Sequence, residues 1–394
     1  MKRAAPALET ALSQLERAQL RRARTTVETH GRGTRALTIA GGARLIDFSS
    51  NDYLGLAHHP ALAEAMSACA ARCGSGSGAS HLVTGHGEEH ARLEEELAAF
   101  TGRERALLFS TGYMANLAVM SSLLARGERV LLDRLSHASL IDGARLSGAQ
   151  LRRYGHADSA SAARLLAADP GHTALIATDG VFSMDGDLAP LPQLSRLAQA
   201  QDAWLVVDDA HGLGVVGASG RGVLEHFGLG SDAVPVLVGT LGKAFGSFGA
   251  FVAGSAALIE FLIQKARAYI YTTALPQPVA AATRAALALA QAESWRRERL
   301  QQLTARFRAA ALDAGVPLGA STTPIQPIVL GSAQAALTAQ RALQEVGFWV
   351  VAIRPPTVPA GSARLRVTLS ALHTDAEVEA LVEHLARTCT GRSN

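Results

Sequence analysis

Ala203-Trp204-Leu205-Val206-Val207-Asp208-Asp209-Ala210-His211 and Val234-Pro235-Val236-Leu237-Val238-Gly239-Thr240-Leu241-Gly242-Lys243 both run from an apolar stretch directly into ionisable residues. A strand covered on both faces needs apolar side chains at successive positions, whereas a half-exposed strand alternates. Two such strands, each opening into charged groups at its carboxyl end, specify an α/β layout with its chemistry gathered along one sheet edge. Lys243 and Asp208 have complementary chemistries. An amine holds an aldehyde as a Schiff base, and a carboxylate keeps a pyridine nitrogen protonated, which is what pyridoxal phosphate needs to become a strong electron sink. Singly, a lysine in a glycine-rich turn is a solvated loop residue and an Asp-Asp pair after a strand is a helix cap. The coincidence of the two carries the reading.

Further apolar runs at 106–109, 130–132 and 174–177 join 205–207 and 236–238, with helical patterns between them. The expectation is a large domain with a mostly parallel sheet over 51–290, preceded by an N-terminal helical arm and short strand over 1–50. A change to a long charged helix from Glu293 marks a smaller α+β domain over 291–394. Each central run ends in polar residues: Ser110-Thr111-Gly112-Tyr113, Asp133 to His137, Thr178-Asp179 with Ser183, Asp208 with His211, and Thr240 with Lys243. Ligands of open α/β sheets bind outside those ends.

The chain has 394 residues, 48% of them hydrophobic, enough for two or three domains at roughly 150 residues each. Its 37 Lys+Arg against 34 Asp+Glu leave a formal charge of +3, too small to imply nucleic acid, so any anion site is local. Cys69, Cys73 and Cys389 do not make a disulfide framework and suit a reducing cytoplasm. No window reaches the roughly 18 uninterrupted apolar residues of a membrane span, and the charged N-terminus lacks a signal core. A soluble protein is expected. No Cys/His spacing suggests zinc, so no metal is expected, and there is no Gly-x-Ser-x-Gly elbow with partners in order.

Thr111-Gly112-Tyr113-Met114-Ala115-Asn116 opens a helix after a strand, where unpaired N–H groups and the helix dipole favour a phosphate. His137 follows a central strand, where a flat imidazole suits stacking on a pyridine ring. His211 and Ser183 suit its phenolic oxygen. Arg354, braced by Pro355 and Pro356, suits a carboxylate. Gly212-Leu213-Gly214-Val215-Val216-Gly217 matches a dinucleotide fingerprint, but Ala218-Ser219-Gly220-Arg221-Gly222 continues as loop and the following strand lacks the acidic residue at its end. The nicotinamide reading is rejected.

Asp47-Phe48-Ser49-Ser50-Asn51-Asp52-Tyr53-Leu54-Gly55-Leu56, Asp133-Arg134-Leu135-Ser136-His137-Ala138-Ser139, Asp179-Gly180-Val181-Phe182-Ser183-Met184-Asp185-Gly186-Asp187 and Val207-Asp208-Asp209-Ala210-His211-Gly212 resemble the α-oxoamine synthases, fold-type I pyridoxal 5'-phosphate transferases, over nearly the whole chain. The segment from Ala352 through Arg354-Pro355-Pro356-Thr357-Val358-Pro359 to Arg366 is most similar to members that join L-alanine to a pimeloyl thioester, on coenzyme A or acyl carrier protein, with loss of carbon dioxide in biotin biosynthesis.

The resemblance implies that Lys243 holds the cofactor and moves the α-proton, that Asp208 pairs with the ring nitrogen and that His137 stacks on the ring. His211 and Ser183 meet the phenolic oxygen, while Gly112, Tyr113 and Thr240 hold the phosphate. Arg354 takes the amino acid carboxylate, with Asn51 and Thr357 on the substrate side. Arg21 matches an arginine that contacts the acyl substrate, with Arg22 a second candidate. A homodimer with a shared site is implied, Tyr271-Thr272-Thr273 reaching the partner's phosphate. His81 and His86 stand where the family has other residues. The alternatives are a member using glycine or another acyl donor, a nicotinamide dehydrogenase and a non-catalytic scaffold.

Overall fold

Seven strands build the large sheet: β1 (Arg105–Phe109), β2 (Arg129–Asp133), β3 (Gln150–Tyr154), β4 (Thr173–Asp179), β5 (Trp204–Asp208), β6 (Val236–Thr240) and β7 (Ala250–Gly254), in the order β1-β7-β6-β5-β4-β2-β3. The β6-β5-β4-β2-β3 pairs are parallel, and β7 runs antiparallel to both β1 and β6. The five strands read from apolar runs are therefore present, in a mostly parallel sheet. β3 and β7 are strands beyond those five. The computed structural model describes residues 5–30, 36–39, 42–168 and 173–390.

This sheet belongs to a unit made of Asp52–Ser183 and Asp187–Glu298. Val130, Leu132, Leu175, Val206, Val236 and Val252 are buried in one core with Ala115, Val119 and Met120 of the helix Gly112–Leu123. That helix is apolar enough to lie against the sheet, and only Asn116 among its buried side chains is polar. The crossovers bring the carboxyl ends of β2, β4, β5 and β6 to one edge.

A second unit comprises Met1–Asn51, Met184–Gly186 and Arg299–Asn394. Its three-stranded antiparallel sheet has Ala363–Thr368 between Ile325–Gly331 and Val351–Ile353. The strands Val27–His30, Ala36–Ile39 and Arg44–Asp47 form an antiparallel meander, which Phe348–Trp349 extends in parallel. Phe48 stacks on His373 with ring centroids 3.9 Å apart, and His373 Nε2 meets the Asp47 carbonyl at 3.0 Å. The helix Trp295–Asp313, expected as a long charged helix, begins in the larger unit and continues into this one.

Candidate active site

In register, Asp208 at the end of β5 pairs with Asp179 of β4 on one side and Val238 of β6 on the other. The Asp208 carboxylate accepts from the Ala210 N–H through Oδ1 at 3.0 Å and from Asn116 Nδ2 through Oδ2 at 2.6 Å. Asn116 Nδ2 also reaches Ser139 Oγ at 2.8 Å, and that hydroxyl lies 2.7 Å from His137 Nδ1. One hydrogen-bonded chain thus fixes both the carboxylate and the imidazole. Burial, and then the Asp208 carboxylate, push the Asp179 carboxyl well above the usual range. Its Oδ2 accepts the His137 N–H at 2.9 Å. Burial, first, and then the Lys243 charge hold His137 below the ordinary imidazole value, although Asp208 opposes them. A neutral ring is the form that stacks on a cationic pyridine without repulsion.

Lys243 stands in the turn after β6, with Nζ 2.8 Å from His211 Nε2. The other nitrogen of His211, Nδ1, lies 2.6 Å from the Tyr53 hydroxyl. Tyr53, Asn116 and Ser139 hydrogen-bond to these candidate residues and are not among those the sequence singles out. Asn116 left a signal, being a polar residue between the apolar Met114-Ala115 and Leu117-Ala118-Val119-Met120. Tyr53 left none beyond its place in a quoted motif.

Thr111 caps the helix Gly112–Leu123, its Oγ1 accepting the Met114 N–H at 3.2 Å. The first N–H groups of a helix have no intrahelical partner, so Gly112 and Tyr113 present theirs outward. A Cβ added at Gly112 would meet nothing within 4 Å. The Tyr113 hydroxyl is bound to Asp142, so of its polar groups the backbone N–H is the one without an intrahelical partner. Thr240 Oγ1 donates to the Gly249 carbonyl at 3.1 Å. Ser183 is half-buried in the turn after β4. Thr272 and Thr273 follow the short helix Arg267–Ile270 beside the exposed Tyr271.

The glycine run 212–217 opens no helix. Gly212 and Gly222 crowd the buried Asp209, where added Cβ atoms would stand 2.0 and 1.8 Å from its carboxylate oxygens. Packing on Asp209 accounts for Gly212 and Gly222, while Gly214 packs against Ala244 and Gly217 against Glu225.

In the second unit, Arg22 Nη2 donates to Thr357 Oγ1 at 2.9 Å. Arg354 donates to the carbonyls of Gln19 and Arg21. Arg21 is instead engaged by Glu16 at 2.9 Å. Arg21, Arg22, Arg354 and Thr357 line a groove of about 860 Å³ with Gln340 and Val351. Asn51 Oδ1 accepts from Arg366 Nη1 at 3.1 Å.

Residues 43–385 match the family described as aminotransferase class I and II. The chain is 62% identical over 348 residues to the 8-amino-7-oxononanoate synthase of Methylococcus capsulatus, covering 88% of this chain and 90% of that one. It is 58% identical over 386 residues to that of Thioalkalivibrio sulfidiphilus, covering 98% and 97%. The chain belongs to the 8-amino-7-oxononanoate synthase family. Family members are acyltransferases that depend on pyridoxal phosphate. Among solved structures, a serine palmitoyltransferase from S. paucimobilis with the cofactor bound superposes with a TM-score of 0.91 at 30% identity, covering 98% of this chain and 97% of that one. An 8-amino-7-oxononanoate synthase from Francisella tularensis gives 0.77 at 34%, covering 88% and 98%. The better superposition reports a shared fold, whereas the much higher sequence identities bear on the reaction. The residues fit the family's cofactor, since an amine, a hydrogen-bonded carboxylate and an open helix N-terminus sit at the edge of one sheet.

Proposed function

We propose that this chain condenses L-alanine with a pimeloyl thioester, on coenzyme A or acyl carrier protein, releasing carbon dioxide and free thiol to give 8-amino-7-oxononanoate for biotin. The observation that carries the proposal is Lys243 Nζ held 2.8 Å from a fixed imidazole beside the strand that ends in Asp208. Pyridoxal phosphate, when bound, supplies an electron sink for the α-carbon bonds of the amino acid.

Around it, each residue has a task. Lys243 Nζ holds the cofactor and moves the proton at the alanine α-carbon. His211, oriented by Tyr53, sets the position of that amine. Asp208 holds the proton on the ring nitrogen, kept in place by Asn116 and the Ala210 N–H. His137 covers the ring, and Ser183 and His211 serve its phenolic oxygen. Gly112, Tyr113 and Thr240 hold the phosphate, with Thr272 and Thr273 contributed to a partner's site in a homodimer. Arg354 takes the alanine carboxylate, Asn51 and Thr357 line the substrate side, and Arg21 or Arg22 takes the acyl substrate. The cytoplasm, where biotin precursors are made, is the proposed location; among the described residues no helix is long and apolar enough to cross a membrane.

The test supplies pyridoxal phosphate, pimeloyl-CoA and either L-alanine or glycine, and counts carbon dioxide and free thiol. Equal release of both with alanine, absent in Lys243→Ala, is expected. Faster turnover with glycine would overturn the substrate assignment and keep the cofactor chemistry. Turnover that survives Lys243→Ala would overturn both.

A further inference from the structure

His81, in the π-helical turn His81–Gly85, lies with His86 and His90 in a cluster whose candidate ligand atoms all fall within 4.8 Å of one another. The reaction proposed above uses none of them. We infer that the three imidazoles bind one divalent transition-metal cation that favours nitrogen ligands, such as Zn2+, Co2+ or Ni2+, through one nitrogen from each ring.

The ring spacing is that of a metal site. With metal–nitrogen bonds of about 2.0–2.1 Å, tetrahedral angles put imidazole centroids about 5.2 Å apart. The centroids of His81 and His86 are 5.2 Å apart, those of His81 and His90 5.1 Å, and those of His86 and His90 5.5 Å. His81 Nδ1 and His86 Nδ1 already face each other at 3.0 Å.

The outer partners also match. A ligating histidine usually gives its other N–H to a carbonyl or carboxylate, which fixes the tautomer. His90 Nε2 donates to the Leu275 carbonyl, and His86 Nε2 points to Glu94 Oε2 at 3.9 Å. Nδ1 is thereby left as the inward atom of both rings. At His90 it now accepts the Gly87 N–H at 2.9 Å, a bond that the cation would replace. His81 stacks on Tyr269 at 4.9 Å, which fixes its ring plane.

Burial lowers the pKa of all three rings, His81 to about 3 with help from its two neighbours. Neutral imidazole is the ligating form, so no proton need be displaced at neutral pH. His81 and His90 are buried, while His86 is partly open and gives the cation a way in and a fourth position for water. Ser77 Oγ donates to the Leu275 carbonyl at 2.7 Å and the Ala274 N–H to the Ala79 carbonyl at 2.9 Å. A cation at the cluster therefore ties the His81 turn and the helix Glu88–Thr101 together beside residues 274–275.

Equilibrium dialysis of the chelator-treated holoenzyme against Zn2+, with thermal melting alongside, tests this. One Zn2+ per chain and a higher melting temperature are expected. His86→Asn, a change at the most open ring, should weaken binding at least about tenfold and remove the shift in melting. Glu94→Gln should weaken binding by about 10-fold through the outer partner. A Cys69→Ser, Cys73→Ser double variant should bind as the parent does. Absence of saturable binding would overturn the site, as would binding that survives both His86→Asn and His81→Asn or that disappears with the two thiols.

Discussion

Lys243 is held by a relay, its Nζ against His211 Nε2 and His211 Nδ1 against the Tyr53 hydroxyl. Tyr53→Phe removes the oxygen that fixes which His211 nitrogen carries a proton. A neutral hydrogen bond contributes about 1 kcal/mol, so kcat should fall about 5- to 10-fold and its pH profile should move, with the KM for alanine little changed. Asp208→Asn is more severe, because an amide cannot hold a ring proton. A loss of at least about 10²-fold in kcat, the lower range for a proton-handling group, is expected, with the protein still folded by circular dichroism. Lys243 and Asp208 were legible in the sequence because each ends an apolar run. Tyr53 and Asn116 were not, since their partners His211 and Asp208 lie 158 and 92 residues away in the chain. Only the fold makes them neighbours.

At the scale of elements, the runs that announce β1, β2, β4, β5 and β6 are legible because strands buried on both faces tolerate only apolar residues. β3 reads Gln150-Leu151-Arg152-Arg153-Tyr154 and gives no such run, because it is the sheet edge and three of its five residues are exposed. β7 is wholly buried and apolar, so its run was there to be found; its antiparallel sense was not, being set by the turn that reverses the chain after Lys243. The loops after these strands are tied by His156, whose Nδ1 meets Asp133 Oδ1 at 3.1 Å and Nε2 meets Asp187 Oδ2 at 3.0 Å. Burial opposes its charge, but the Asp133 and Asp187 carboxylates outweigh it and push the imidazole up to about 10. A histidine raised in the folded state contributes stability that is complete below its unfolded value near 6.5 and is lost as pH rises through about 10. The unfolding free energy from urea titrations should therefore decline over that window, by at most about 1.4 kcal/mol per pH unit from this group. His156→Gln should start lower and lack that part of the slope. Equal slopes in parent and variant would show that the clip does not titrate as described.

At the scale of the whole molecule, a formal charge of +3 gives no long-range pull on an anionic acyl thioester, so attraction must come from where charges are left uncompensated. Arg21 is not such a place, because Glu16 faces it at 2.9 Å. Arg22 and Arg354 are, since among the described residues neither has an ion-pair partner and the charge of Arg22 adds to burial in depressing Arg354. Two like charges held close in a groove of about 860 Å³ repel each other until an anion joins them. The Arg22 guanidinium, already on Thr357, is thus the better match of the two arm arginines for the acyl substrate. A charge-assisted hydrogen bond is worth about 1.5 kcal/mol or more, so Arg22→Gln should raise the KM for pimeloyl-CoA about tenfold and leave kcat within about twofold. Arg21→Gln should change KM less than about threefold, because its charge is already spent on Glu16. Added salt separates this from a packing defect. At physiological ionic strength charges are screened over about 8 Å, so the parent KM should climb with salt and the Arg22→Gln KM should climb less steeply. If Arg21→Gln proves the more damaging change and flattens the salt dependence instead, the Glu16 pair is opened by the substrate and the assignment passes to Arg21.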